Sequence, residues 1–267
     1  MTLVNFLNKL FQENLGYSGL NTARSAVSSI DITNTSGDLG TNPLVKRFLA
    51  GAFNIKPTFP KSTISWDTSV VLRHIKGCKQ ACDLSLKELT LKLTMLLALL
   101  TAQRVQTLSL LDVSHMVLSK DKVIFKITSL LKQTRPGVHL NDIILTRFQS
   151  CRRLCVVTVL IEYIKRTKDL RQDSGLLISF QKPHKRVTRS TIARWLKMVL
   201  AQCGIDKQYG AHSTRGASTS KAKFLQVPID TIMKSAGWSS RSTFSKHYHK
   251  PIQQFDQFAN SILQASD

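Results

Sequence analysis

Acidic residues are scarce in this chain. Sixteen Asp and Glu stand against thirty-eight Lys and Arg, for a formal charge of +22 and an isoelectric point near 10.2. An excess of that size repels itself in a compact chain, so the composition implies a polyanionic partner. Long apolar runs are missing too. The longest, Leu93 to Thr101, falls short of the roughly eighteen residues that a spanning helix needs, which argues against a membrane partner. The N-terminus, MTLVNFLNK, lacks the basic start, apolar stretch and small-residue cleavage site of a secretory signal, and the chain is expected to stay inside the cell. Cysteine is sparse and odd in number: Cys78, Cys82, Cys151, Cys155 and Cys203. That count points to reduced thiols rather than a disulfide framework. The two Cys-x3-Cys pairs have ordinary helical spacing and not the two-residue knuckle of thiolate zinc sites, so no metal site is expected.

With 267 residues, 42% of them hydrophobic, the chain can fill the core of one large domain or two modest ones. Leu3, Phe6, Leu7, Leu10, Phe11 and Leu15 recur at helical spacing up to Gly16. A second helix is expected over Leu20–Ile30, a loop over Thr33–Thr41 and a third helix over Pro43–Phe53, with Lys46 and Arg47 on its outer face. Pro57 and Pro60 mark a linker running to Trp66, and Asp67–Lys76 reads as a further helix. Ser85 and Glu88 form a capping-box pattern, after which leucines at 86, 89, 93, 96, 97 and 100 predict a core helix that ends near Arg104.

The periodicity then shortens. His115–Leu118, Val123–Thr128 and Ile143–Leu145 read as three strands of a small antiparallel sheet. Helices return over Cys155–Arg166 and Thr191–Cys203, the latter with Thr188 as N-cap and Gly204 as stop. Between them lies Lys182-Pro-His-Lys185-Arg186, a basic surface turn, a nuclear address or a phosphate-tracking loop. Pro228 and Gly237 bracket a last helix before Trp238.

Chemistry concentrates in two places: LLTAQRVQTLSLLD, carrying Arg104, and the stretch from Gly210 to Pro251, which sets His212 three residues before Arg215 and then places Trp238 and Tyr248. A His-x-x-Arg pair alone says little, because residues three apart are neighbours on any helix. The order Arg104, a lysine in the hairpin region, His212-x-x-Arg215, Trp238, Tyr248 resembles the tyrosine recombinases of the phage-integrase family. AHSTRGASTSKA followed by AGWSSRSTFSKHYHKP is most similar to the recombinases of DIRS-like and related eukaryotic mobile elements.

The resemblance implies a mainly α chain with one small three-stranded antiparallel sheet. An α-helical, SAM-like core-binding domain over residues 1–78, shortened at its N-terminus, would precede an α+β catalytic domain over residues 79–267. It implies a site-specific DNA recombinase or integrase acting through a 3′-phosphotyrosine, in the nucleus, on double-stranded DNA and as a homo-tetramer, with no cofactor and no small-molecule substrate. Tyr248 would be the nucleophile, and Arg104 and Arg215 the clamp on the non-bridging oxygens, since guanidinium forks match that charge. His212 would take or share the tyrosine proton, and Trp238, standing where many members carry histidine, can donate a hydrogen bond but cannot shuttle protons. Lys132 would be the general acid, with Lys126 and Arg135 as competitors. Lys46, Arg47, Lys182, Lys185 and Arg186 are candidate DNA contacts.

The chain departs from the bacterial pattern at two points. Thr107 stands where an acidic residue is usual, and Tyr248 lies ten positions after Trp238, leaving His247 at the more common nine. The other readings are a DNA-binding relative that no longer recombines and a type IB topoisomerase-like enzyme that nicks and reseals.

Overall fold

Side-chain caps set many of the helix starts. The oxygens of Thr2, Asn42, Asp67, Ser85 and Thr188 accept from the amides of Asn5, Leu44, Ser69, Glu88 and Thr191, satisfying donors that the first helical turn leaves open. The computed structural model describes residues 2–30, 39–58, 63–131, 134, 141–248 and 250–252, and it divides into units of residues 1–61 and 62–267. Trp66, Val71 and Ile75 lie in the core of the larger unit.

The smaller unit holds helices α1 (Leu3–Gln12), α2 (Tyr17–Ile30) and α3 (Pro43–Ile55). They close on Leu7, Leu20, Val45, Leu49 and Ala52. Helix α2 starts three residues ahead of the expected Leu20, where the Tyr17 ring meets Phe53 edge-on at 5.4 Å. Lys46 and Arg47 lie on the exposed side of α3.

The larger unit is built around α5 (Leu86–Thr101), which follows α4 (Thr68–Gly77). Ser85 and Glu88 close the capping box in both directions. Leucine spacing predicts one inward face, yet every residue from Leu89 to Leu99 is buried, because later helices pack on several sides. The threonines in this surrounded helix avoid stranded hydroxyls: those of Thr90, Thr94 and Thr101 donate to carbonyls four residues back at 2.6 to 2.7 Å.

After the short α6 (Val105–Ser109), strands β1 (Met116–Leu118), β2 (Lys122–Phe125) and β3 (Ile143–Thr146) form an antiparallel sheet in sequence order, with Phe125 opposite both Met116 and Ile143. Val123, Phe125, Ile143 and Leu145 point into the core. Strand β2 stops three residues before the expected Thr128, and Lys126 follows it, exposed. Lys132 and Arg135 lie outside the described residues. The rest is helical: α7 (Val156–Thr167), α8 (Arg189–Gln202), α9 (Ser213–Phe224), α10 (Ile229–Ala236) and α11 (Arg241–His247). Among the described residues no helix is long and apolar enough to cross a membrane.

Candidate active site

The site forms where the C-terminal ends of α5 and α10 meet the start of α9. Helix α5 ends on Ala102 in the left-handed conformation, φ 50°, a turn that sends the chain into α6 with Arg104 as its N-cap residue. Arg104 is half-buried and makes no side-chain cap bond. At the other end Gly237, φ 64°, terminates α10, and the Trp238 amide returns to the carbonyl of Met233 at 2.9 Å. That reversal folds the indole back over the helix ends.

Arg215 lies in the first turn of α9 and is only 1% exposed. Burying a cation this far demands partners. Its two terminal nitrogens donate to the carbonyls of Ala102 at 2.7 Å and Ala236 at 2.8 Å, so one guanidinium ties together the negative ends of α5 and α10. Its Cζ sits 4.3 Å from the Trp238 ring centroid and 5.5 Å from that of Tyr248. Burial and the neighbouring Arg104 push its pKa down to about 10, which leaves it charged at neutral pH.

Tyr248 caps the end of α11, its ring 4.4 Å from that of Trp238. Its carbonyl accepts from Ser220 Oγ at 2.6 Å, and Ser220 Oγ in turn accepts from the Lys250 amide. The Tyr248 hydroxyl stands 3.0 Å from Nε2 of His212, the residue just before α9. Part of His212 remains exposed, yet burial of the ring, followed by the charges of Arg215 and Arg104, lowers its pKa from the ordinary value. That lowering favours the neutral imidazole.

Among the described residues, none of the ion pairs includes Arg104, His212 or Arg215. Two buried donors, Nε of Arg215 and Nε1 of Trp238, have no hydrogen-bond partner among the described residues. Unfilled donors beside unpaired cations suit an oxyanion.

The structure thus brings Arg104, His212, Arg215, Trp238 and Tyr248 into one neighbourhood. Thr107 is buried at 2% exposure, so its position is internal. In the basic turn, Lys182 and Lys185 are exposed, whereas Arg186 donates to the carbonyl of Ser109 and pairs with Asp112 at 3.7 Å. That engagement explains Arg186 as a brace between the turn and the end of α6. Sequence reasoning passed over Ala102, Ala236 and Ser220, which act through backbone carbonyls or a single hydroxyl and leave no residue-type signature. It also passed over Gln103, whose Nε2 donates to the Ser235 carbonyl and whose buried Oε1 has no partner among the described residues.

Residues 73–254 match the Phage integrase family. The chain belongs to the phage integrase family. All five residues gathered at the site fall within the matched span. Solved structures of similar fold include XerH site-specific recombinase bound to palindromic difH substrate in a post-cleavage complex, with TM-score 0.64, 14% identity, and coverage of 100% of this chain and 72% of that one. The Tn1549 transposon integrase in complex with circular intermediate DNA gives TM-score 0.60 at 12% identity, covering 98% and 85%. A lambda integrase tetramer bound to a Holliday junction gives TM-score 0.57 at 16% identity, covering 97% and 67%. No curated protein matches the sequence. For this phage integrase family chain, the mainly helical fold with one small three-stranded sheet is the one these recombinases share.

Proposed function

We propose that this phage integrase family member is a DNA strand transferase that cuts and rejoins double-stranded DNA through a 3′-phosphotyrosine. The observation that carries this reading is the His212 Nε2 to Tyr248 hydroxyl contact of 3.0 Å beside the buried guanidinium of Arg215. A hydroxyl, a neutral base and unpaired cationic donors within reach of one another form the minimal set for attack on a phosphodiester.

In the proposed step the Tyr248 oxygen attacks phosphorus. The P–Oη bond forms, the bond from phosphorus to the 5′ oxygen breaks, and the tyrosine proton passes to Nε2 of His212. Lys132 would protonate the departing 5′ oxygen. Arg104, Nε–H of Arg215 and the indole N–H of Trp238 would hold the non-bridging oxygens as charge builds on them. The phosphotyrosine retains the energy of the broken bond, so the reverse sequence reseals the strand without a nucleotide.

The same reading extends to the setting. The domain order would be a core-binding unit followed by a catalytic one, with exposed Lys46, Arg47, Lys182 and Lys185 following the phosphate backbone. The C-terminal sequence favours a eukaryotic mobile element of DIRS-like type, action in the nucleus and assembly as a tetramer on DNA. The test is incubation with a nicked suicide duplex, in which the cut strand cannot be resealed. A covalent protein–DNA adduct at Tyr248 is expected; its absence while the protein still binds the duplex would leave a binding module.

A further inference from the structure

The segment Ile64–Asp67, just before α4, is bonded to residues that flank both halves of the candidate catalytic pair. On one side, the indole N–H of Trp66, itself only 2% exposed, donates to Ser213 Oγ at 2.9 Å, and Ser213 Oγ donates to the Gly210 carbonyl at 2.7 Å. These bonds bracket His212 on the turn that starts α9. The Tyr209 hydroxyl donates to the Ile64 carbonyl at 3.2 Å, and Lys221, later in α9, meets Asp67 at 3.0 Å. On the other side, the Ser65 amide donates to the Pro251 carbonyl at 2.8 Å, and Ser65 pairs in parallel with Ile252. Pro251 is three residues beyond Tyr248.

We infer that Ile64–Asp67 is a strap that sets the register of Tyr248 against His212, with Trp66 and Ser213 as its positioning residues. The inference rests on His212 and Tyr248 being base and nucleophile. The physical reason for a strap lies in where Tyr248 sits. The tyrosine follows a helix of only seven residues, too short to hold its own geometry in isolation. His212 sits at a helix start whose side chain caps nothing. Neither element fixes a 3.0 Å contact by itself, and the strap is bonded to the flanks of both. A displacement of about 1 Å between reacting groups costs on the order of a hundredfold in rate. Trp66 therefore acts through Ser213 and touches no reacting atom.

The test uses Trp66→Phe, which keeps an aromatic ring in the core and removes the indole donor, and Ser213→Ala, which removes the acceptor from the other side. Each variant of the full chain is expected to form the suicide adduct roughly three- to tenfold more slowly, the range of one net hydrogen bond, with duplex affinity unchanged. The double variant should be slowed by less than the product of the two single effects, because each change removes the Trp66–Ser213 bond and only Ser213→Ala also removes the bond to Gly210. Parental rates, additive losses, or a slowing matched by equal loss of affinity would overturn the strap. A second readout needs no activity: the NMR titration midpoint of His212, which faces Tyr248, Arg215 and Arg104, should rise in Trp66→Phe as the tyrosine loosens and water enters. An unmoved midpoint overturns the strap. A parent that forms no adduct while the midpoint shifts in the variant overturns the proposed function and leaves the strap standing.

Discussion

The guanidinium of Arg215 donates to the carbonyl of Ala102 at 2.7 Å, and Ala102 is the left-handed residue two positions before Arg104. One arginine therefore braces the turn that presents the other. The same side chain reaches Ala236, next to the glycine that turns the chain toward Trp238. Arg215 thus does structural work for the site in addition to carrying charge.

Replacing Arg215 by Lys keeps a charge but has a single nitrogen in place of the fork. The carbonyls of Ala102 and Ala236 cannot both be served, and an unmatched buried acceptor costs about 1–3 kcal/mol. The expected outcome is a lower urea midpoint together with adduct formation reduced roughly a hundredfold or more, on the scale of losing a charge-stabilising donor. Parental values of both would remove Arg215 from the brace and the clamp.

Tyr248→Phe removes one oxygen and keeps the ring that lies 4.4 Å from Trp238 at a tilt of 37°. Stability and noncovalent duplex binding are expected to hold within about 1 kcal/mol, since surface and half-buried hydroxyls contribute little net. The covalent adduct should vanish by intact mass. An adduct that persists and maps by peptide mass to another residue would sink the assignment of the nucleophile.

His212 carries a pKa below its ordinary value, with burial as the first cause and the charges of Arg215 and Arg104 next. If neutral His212 accepts the tyrosine proton, adduct formation should be flat near neutrality and fall as pH drops through that lowered pKa, below the ordinary value of about 6.5. Stability follows the same sign. The unfolded chain takes up the proton first, so folding weakens as pH falls through about 6.5 and levels off below the folded pKa. A His212→Gln variant should lose this part of the pH dependence in both pH–rate and pH–urea series. An identical profile in the variant would assign the titration elsewhere.

The net charge of +22 implies that nonspecific duplex binding is driven by counterion release. Affinity measured from about 50 to 200 mM salt should fall steeply on a log–log plot, by about 0.9 per phosphate neutralised. Lys182→Gln and Lys185→Gln, both in the exposed turn, are expected to reduce that slope by about one contact each. A slope near zero in the parent would contradict the polyanion reading drawn from composition.

Sequence by itself determined much of the local structure, because caps and periodicity act within a few residues. The box at Ser85 and Glu88, the cap at Thr188, the stop at Gly237 and the alternation of Val123 and Phe125 are all written in neighbouring positions. The candidate site residues Arg104, His212, Arg215, Trp238 and Tyr248 came from the resemblance of their order to the tyrosine recombinases. Tertiary structure alone decided their relations. That Tyr248 meets His212 across 36 positions and that Arg186 pairs with Asp112 depend on how distant elements pack, while the two donors Arg215 spends on helix-end carbonyls and the one Arg186 spends on Ser109 go to backbone groups every residue carries. The same holds for α5, whose leucine pattern shows one apolar face while the enclosure of Leu89 to Leu99 comes from helices far along the chain. Carbonyl partners and enclosure are long-range properties, and residue identity encodes them only through the whole packed fold.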